Sequence, residues 1–109
     1  MKIEQGNIVL VPFPFTNLKE SKVRPALVLY NEQISGDSIL APITSHQSSK
    51  KLINLMKSDI TEGDLPTNSF IKYTKLSTLE KSLVIKVCDK VSNQKLKQVL
   101  DKVIHLFQF

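Results

Sequence analysis

Arginine occurs once in this chain, cysteine once, histidine twice and glycine three times. The lone cysteine, Cys88, has no partner for an internal disulfide, and a reducing cytoplasm is its simplest setting. Glycines at 6, 36 and 63 are too few and too scattered to form a phosphate-cradling loop. His46 and His105 lie far apart, and no cysteine or carboxylate cluster has metal-ligand spacing, so neither metal nor other cofactor is expected. No apolar run approaches the ~20 residues that cross a bilayer. The longest, IVLVPFPF at 8–15, is broken by two prolines and has only Lys2 as a positive charge ahead of it, which argues against a signal peptide and against a membrane partner.

What is present describes an ordinary globular protein. A hydrophobic content of 41% and a charged content of 23% are far from the disordered regime. At 109 residues the chain is expected to be one domain, 1–109, burying roughly two-thirds of its unfolded surface. Fifteen basic residues against ten acidic ones give a net charge of +5, which favours a polyanionic partner.

Short strand-like runs follow one another: NIVLV (7–11), ALVLY (26–30), SILAPIT (38–44), KLINLM (51–56), SFIKY (69–73) and LVIKVCD (83–89). Turn-forming clusters such as NEQISGD and EGDLP separate them, as in a small antiparallel barrel or sandwich. In ALVLY both alternating sets are apolar, which predicts a central strand covered on both faces. From Asn93 the period changes. Leu96, Val99, Leu100, Val103, Leu106 and Phe107 recur at three and four residues, the stripe of an amphipathic helix. Ser92 is its natural N-cap, and Val91 can staple against Leu96. The expected fold is mainly β, a small antiparallel barrel with a C-terminal α-helix.

The single arginine stands out because fourteen lysines surround it in composition. Pro25 biases the Arg24 backbone toward extended geometry, so the guanidinium is mounted at the lip of a buried strand. If 26–30 and 38–44 are antiparallel neighbours, Thr44 returns beside Arg24. An arginine fork holds a phosphate through two parallel hydrogen bonds, and a threonine hydroxyl can donate to a third oxygen. The pair reads as a phosphate clamp.

These residues also carry a resemblance. GNIVLVPFPFTNLKESKVRPALVL followed by ILAPIT resembles the MazF/PemK family of toxins from bacterial toxin–antitoxin pairs, and SFIKYTKLSTL and KVSNQKLKQVLDKV are similar to its later strands and helix. The resemblance implies an SH3-like (MazF/CcdB-type) barrel that forms a homodimer, cleaves single-stranded RNA (mRNA) without metal, and is silenced by a cognate antitoxin with an acidic tail. It implies that Arg24 and Thr44 are the catalytic pair. Where the family often carries I-R-T, this chain has Leu76, Ser77 and Thr78, with Lys75 as a differently placed cation.

The chemistry follows from the substrate. The 2′-OH of RNA sits beside the scissile phosphate, so attack is intramolecular and needs no metal-generated nucleophile. The enzyme must stabilise charge on the phosphorane oxygens and move two protons, leaving a 2′,3′-cyclic phosphate and a 5′-OH. Arg24 suits the charge. Its role as proton donor is implied by the resemblance alone, since a guanidinium is a poor acid near neutrality. His46, two residues beyond Thr44, is a further catalytic candidate, with an exposed loop histidine as the plainer reading. Candidates for RNA binding are Phe13, Phe15, Thr16, Asn17, Lys22, Ser45, Lys50, Lys51, Lys72, Lys75 and Ser77, with the phenylalanines either stacking on bases or tucked into the barrel. Cys88 reads as core. The alternative to a nuclease is a non-catalytic SH3-like module that holds RNA, or a gyrase-inhibiting toxin of the related fold.

Overall fold

A computed structural model describes residues 2–13, 22–47 and 50–108. Eight strands run in chain order: β1 (Asn7–Phe13), β2 (Lys22–Asn31), β3 (Ser38–Thr44), β4 (Ile53–Leu55), β5 (Ile60–Glu62), β6 (Ser69–Ile71), β7 (Ser77–Leu79) and β8 (Lys86–Val91). The helix α1 (Asn93–Leu106) follows. All pairings are antiparallel, in the order β4-β6-β3-β2-β1-β8-β5, with β7 pairing the early part of β3. The expected mainly β fold with a terminal helix is what forms, as a curled half-barrel.

β2 is central, as its doubly apolar pattern predicts. Leu27 and Leu29 enter a core cluster with Ile8, Ile43, Leu55 and Ile71, onto which α1 packs through Val99, Leu96 and Leu100. Ala26 and Val28 point the other way, into a second cluster with Ile3, Val9, Val11, Leu40 and Val84. Tyr30 departs from the pattern. A register irregularity between Val28 and Tyr30 ends the alternation, and the ring is about half exposed.

The helix begins where expected. The Ser92 hydroxyl oxygen accepts the Lys95 N–H at 3.1 Å, satisfying one orphan donor of the first turn. Val91 lies in the main core cluster and Leu96 packs against the same cluster. Lys95 is held rather than solvated: its ammonium donates to the Asn54 carbonyl at 2.9 Å and approaches Asp59 at 3.6 Å. The far end differs from the stripe, because Leu106 and Phe107 stay exposed.

Two short strands, β5 and β7, were not visible in the apolar runs, and β8 begins later than LVIKVCD suggests because residues 81–83 form a 3-10 turn. Cys88 also departs from expectation, being partly exposed rather than core. It sits on the Lys86 side of β8, opposite Val87, which packs against the second core cluster, at the point in the β1–β8 ladder where Ile8 pairs Asp89 but Val9 pairs Val87. Cys88 is the extra residue of a β-bulge, which breaks the two-residue alternation.

These assignments predict unequal stability losses. Leu27 is fully buried; replacing it by alanine leaves a central cavity and should lower the unfolding free energy by about 3 kcal/mol. Ser92→Ala removes only a cap, at about 1 kcal/mol. Urea denaturation of both variants checks the order, and equal losses would contradict the placement of Leu27.

Candidate functional site

The β2–β3 ladder runs through Val28↔Leu40 and Leu27↔Ala41 and stops at Ala26↔Pro42. Continuing that register by two residues sets Arg24 opposite Thr44, but the strands have parted by then. β2 keeps its pairing with β1, with Arg24 opposite Val11 and Lys22 opposite Phe13, whereas β3 turns to β6, with Thr44 opposite Phe70. Proline contributes to this parting. Pro42 has no N–H to offer a neighbour, and its carbonyl accepts the Lys72 N–H at 2.8 Å, tying β3 to the far side.

An open groove of 1370 Å³ lies where the strands part, and both Arg24 and Thr44 line it. The wall also carries His46, Phe13, Lys22, Ser45, Lys75 and Ser77. With Lys72, nine of the sequence candidates therefore meet in one place. Phe13 is 39% exposed on this wall, so it is not tucked into the core. Lys50 and Lys51 are exposed but do not line the groove. Phe15, Thr16 and Asn17 lie outside the described residues.

Thr44 is oriented by a local turn. Its Oγ1 accepts the backbone N–H of His46 at 3.1 Å. That bond uses one lone pair and leaves the hydroxyl proton available for donation to a ligand oxygen. It also fixes where the His46 side chain departs from the wall, although the strand itself has ended. Arg24 is exposed and Thr44 partly so, leaving both within reach of a ligand.

Other residues complete the groove. Lys72 and Lys75 belong to one tight turn, closed by the Lys75 N–H donating to the Lys72 carbonyl at 3.2 Å, and both reach the wall. Lys86 adds a cation from β8. The floor is apolar, with Ile8, Leu10, Pro25, Ile43, Leu65 and Leu76 among its residues. Two carboxylates, Asp64 and Asp89, stand at the β8 side. Sequence reading missed Lys86, Asp64 and Asp89. Alternation within KVCDK would have put Lys86 and Cys88 on one face, but nothing local marks the bulge that also brings in Asp89.

Cys88 is chemically quiet. Burial, and secondarily the Asp89 charge, push its thiol pKa up, so the thiolate is scarce near neutrality and the residue is a poor nucleophile. Among the described residues, no group of three or more His, Cys, Asp or Glu side chains is placed to hold a metal ion. No helix among them is long and apolar enough to cross a membrane. The wall combines cations, a hydroxyl whose proton is not used in the His46 bond, an imidazole and an apolar floor, an arrangement able to bind a chain of phosphates with their bases laid inward.

The frame of this groove has a counterpart among solved structures. An endoribonuclease in complex with its cognate antitoxin, from a mycobacterial species, superposes with a TM-score of 0.71 at 14% identity, covering 99% of this chain and 100% of the other. At that identity the likeness is one of fold. No curated protein matches the sequence. A family model does match, over residues 4–107, a span that holds every strand and the helix. The chain belongs to the PemK-like, MazF-like toxins of type II toxin–antitoxin systems.

Proposed function

We propose that this toxin is a sequence-selective endoribonuclease that cuts single-stranded RNA without a metal, by attack of the 2′-OH on the neighbouring phosphate. The observation that carries the reading is the placement of Arg24 and Thr44 at the parted ends of one β2–β3 register, on the wall of a cationic groove, in a chain of this family.

The reaction forms a bond from the 2′-oxygen to phosphorus and breaks the bond from phosphorus to the 5′-oxygen. Negative charge gathers on the non-bridging oxygens, and the Arg24 guanidinium stabilises it through two parallel hydrogen bonds. The Thr44 hydroxyl, its oxygen already accepting from His46, donates to one of those oxygens. One proton leaves the 2′-OH and another reaches the departing 5′-oxygen. His46 lines the groove two residues beyond Thr44, and its imidazole takes one of the two transfers. Lys22, Lys72, Lys75 and Lys86 hold flanking phosphates, and Phe13 offers a stacking face.

The second reading, a module that holds RNA or acts on gyrase without cleaving RNA, is favoured by Ser77, an uncharged side chain in the groove at the position where the family often has arginine. In either case the toxin is proposed to act as a cytoplasmic homodimer and to be neutralised by an antitoxin whose acidic tail enters the groove. The net charge of +5 and the antitoxin-bound structural neighbour support that partner.

Incubation with unstructured RNA in EDTA, beside the same oligonucleotide carrying 2′-deoxy at the cut, separates the readings. Cleavage of the first alone is expected. Equal cutting of both would exclude the 2′-OH route, and stoichiometric binding with no cutting would select the second reading. Arg24→Ala and Arg24→Lys should each lose about a hundredfold or more in kcat, because a lysine cannot reproduce the fork, and Thr44→Val should lose at least about tenfold. Lys97→Ala, on the helix surface and paired with Asp101, should cut at the normal rate.

Affinity for the uncleavable oligonucleotide should fall linearly with log salt. For a single strand the slope is about −0.7 per phosphate neutralised, so Lys72→Ala and Lys75→Ala should each flatten it by about 0.7. A slope unchanged in both would place the backbone elsewhere. Sedimentation at micromolar concentration should give a dimer, and the product of an adjacent small acidic reading frame should stop cleavage. A monomer, or cleavage unaffected by that product, would contradict the partner assignments.

A further inference from the structure

The groove is cationic along most of its wall, yet a carboxylate has been built into it with some care. Asp89 reaches the wall only because of the β-bulge at Cys88; without it, consecutive residues of β8 would point to opposite faces. The bulge is braced from beneath. Asn7 is buried, its amide nitrogen donates to the Asp89 carbonyl at 3.4 Å, and its amide oxygen accepts the Glu4 N–H at 2.6 Å. The carboxylate is positioned from above as well. Its Oδ1 accepts the Asp64 N–H at 3.0 Å, in a turn where Gly63 has a φ of +103°, and a β-carbon at Gly63 would overlap the carboxylate itself. Leu65, buried in the main core cluster, anchors the segment that carries this turn.

A fixed carboxylate repels phosphates and can only accept hydrogen bonds, so within an RNA groove its natural partner is a base edge. The four bases differ sharply in what they offer it. Guanine presents two adjacent donors, N1–H and the N2 amino group, matched to the two oxygens of a carboxylate. Cytosine and adenine each place an acceptor beside their amino group, and uracil flanks its one N–H with two carbonyls. Each of those three would set a lone pair against the carboxylate.

We infer that Asp89 is a specificity-determining residue that selects a guanine at one position of the bound RNA by accepting from its N1–H and N2 amino group. The inference rests on the RNA-binding part of the function proposed above and does not depend on cleavage. The Asp64 bond occupies one lone pair of Oδ1, and the carboxylate has further acceptor sites for the base.

The test uses the full chain and RNA made uncleavable by 2′-deoxy substitution at the cut. Selection from a randomised pool should yield RNAs with guanine fixed at one position. Replacing that guanine by inosine removes only the N2 amino group and should weaken binding about tenfold in fluorescence anisotropy. Asp89→Asn keeps an oxygen for the Asp64 N–H, so the turn survives, but it sets an amide donor against the guanine donors. It should abolish the preference for guanine over the other bases while leaving the salt dependence unchanged. A pool with no fixed guanine would overturn the assignment. So would inosine bound within twofold of guanine, or an unchanged preference in the variant. If Asp89→Asn fails to fold, the inosine comparison on the unaltered protein decides. RNA that binds with guanine preference but is never cut would sink the nuclease reading alone, and no RNA binding at all would sink both.

Discussion

The parting of β2 from β3 beyond Ala26↔Pro42 is the constraint on which the rest of the molecule depends. Up to that pair the strands are gripped from two sides, since Leu27 and Leu29 are buried in one cluster and Ala26 and Val28 in another. A strand packed on both faces has little freedom to bend. Where it emerges, Pro25 fixes one backbone angle and removes a donor, and Arg24 leaves the core on a stiff mount. The backbone beneath the proposed phosphate clamp is thus ordered on folding, when the two clusters close, and only the exposed side chains remain to be ordered by binding. Stability and site geometry share the same residues, so core damage at Leu27 also loosens the guanidinium.

Charge makes the opposite demand. Among the described residues the groove gathers Lys22, Arg24, Lys72, Lys75 and Lys86, and no salt bridge quiets them. Ion pairs are spent elsewhere: Lys90 with Glu4 beneath the β1–β8 ladder, Lys95 with Asp59 at the helix start. Glu4 shows the effect, since the hydrogen bond and charge of Lys90 hold its carboxyl below the usual carboxylate pKa. Cations left in mutual repulsion weaken the empty protein and strengthen any polyanion complex. An RNA or an acidic segment that fills the groove would therefore raise the stability of the fold by mass action.

Much of this was legible in the sequence because it depends on parity and spacing. The convergence of Arg24 and Thr44 needs only an antiparallel pair and a turn of the length that NEQISGD supplies, and the helix declares itself through Ser92 and the recurrence of apolar residues. What was illegible depends on breaks in parity. The irregularity after Val28 turns Tyr30 outward, and the bulge at Cys88 brings Asp89 onto the groove wall on the same side as Lys86 and Cys88. A bulge adds a residue to a ladder without changing local composition, and its cause lies in partners such as Asn7 and Gly63, each more than twenty residues away in sequence. β5 and β7 escaped for a different reason: ITE and STL carry one large apolar residue each and lie outside any apolar run, whereas the equally short β4 and β6 sit inside KLINLM and SFIKY. Lys50 and Lys51 look like backbone-tracking cations in sequence, yet the groove draws its lysines from the 72–75 turn, whose position is set by a hydrogen bond to Pro42.

Parity-breaking is also what lets one groove serve two opposed purposes. Contacts to phosphate are blind to sequence, so lysines raise affinity for every RNA alike. Discrimination requires a group that some ligands meet at a penalty. In a regular β8 the residue at position 89 would point to the face of the sheet opposite Lys86. The bulge solves this by adding one residue, and Gly63 accommodates it by leaving the space a side chain would fill. The cation-rich wall and the single braced carboxylate are consequences of one sheet built regular where it must be stiff and irregular where it must choose.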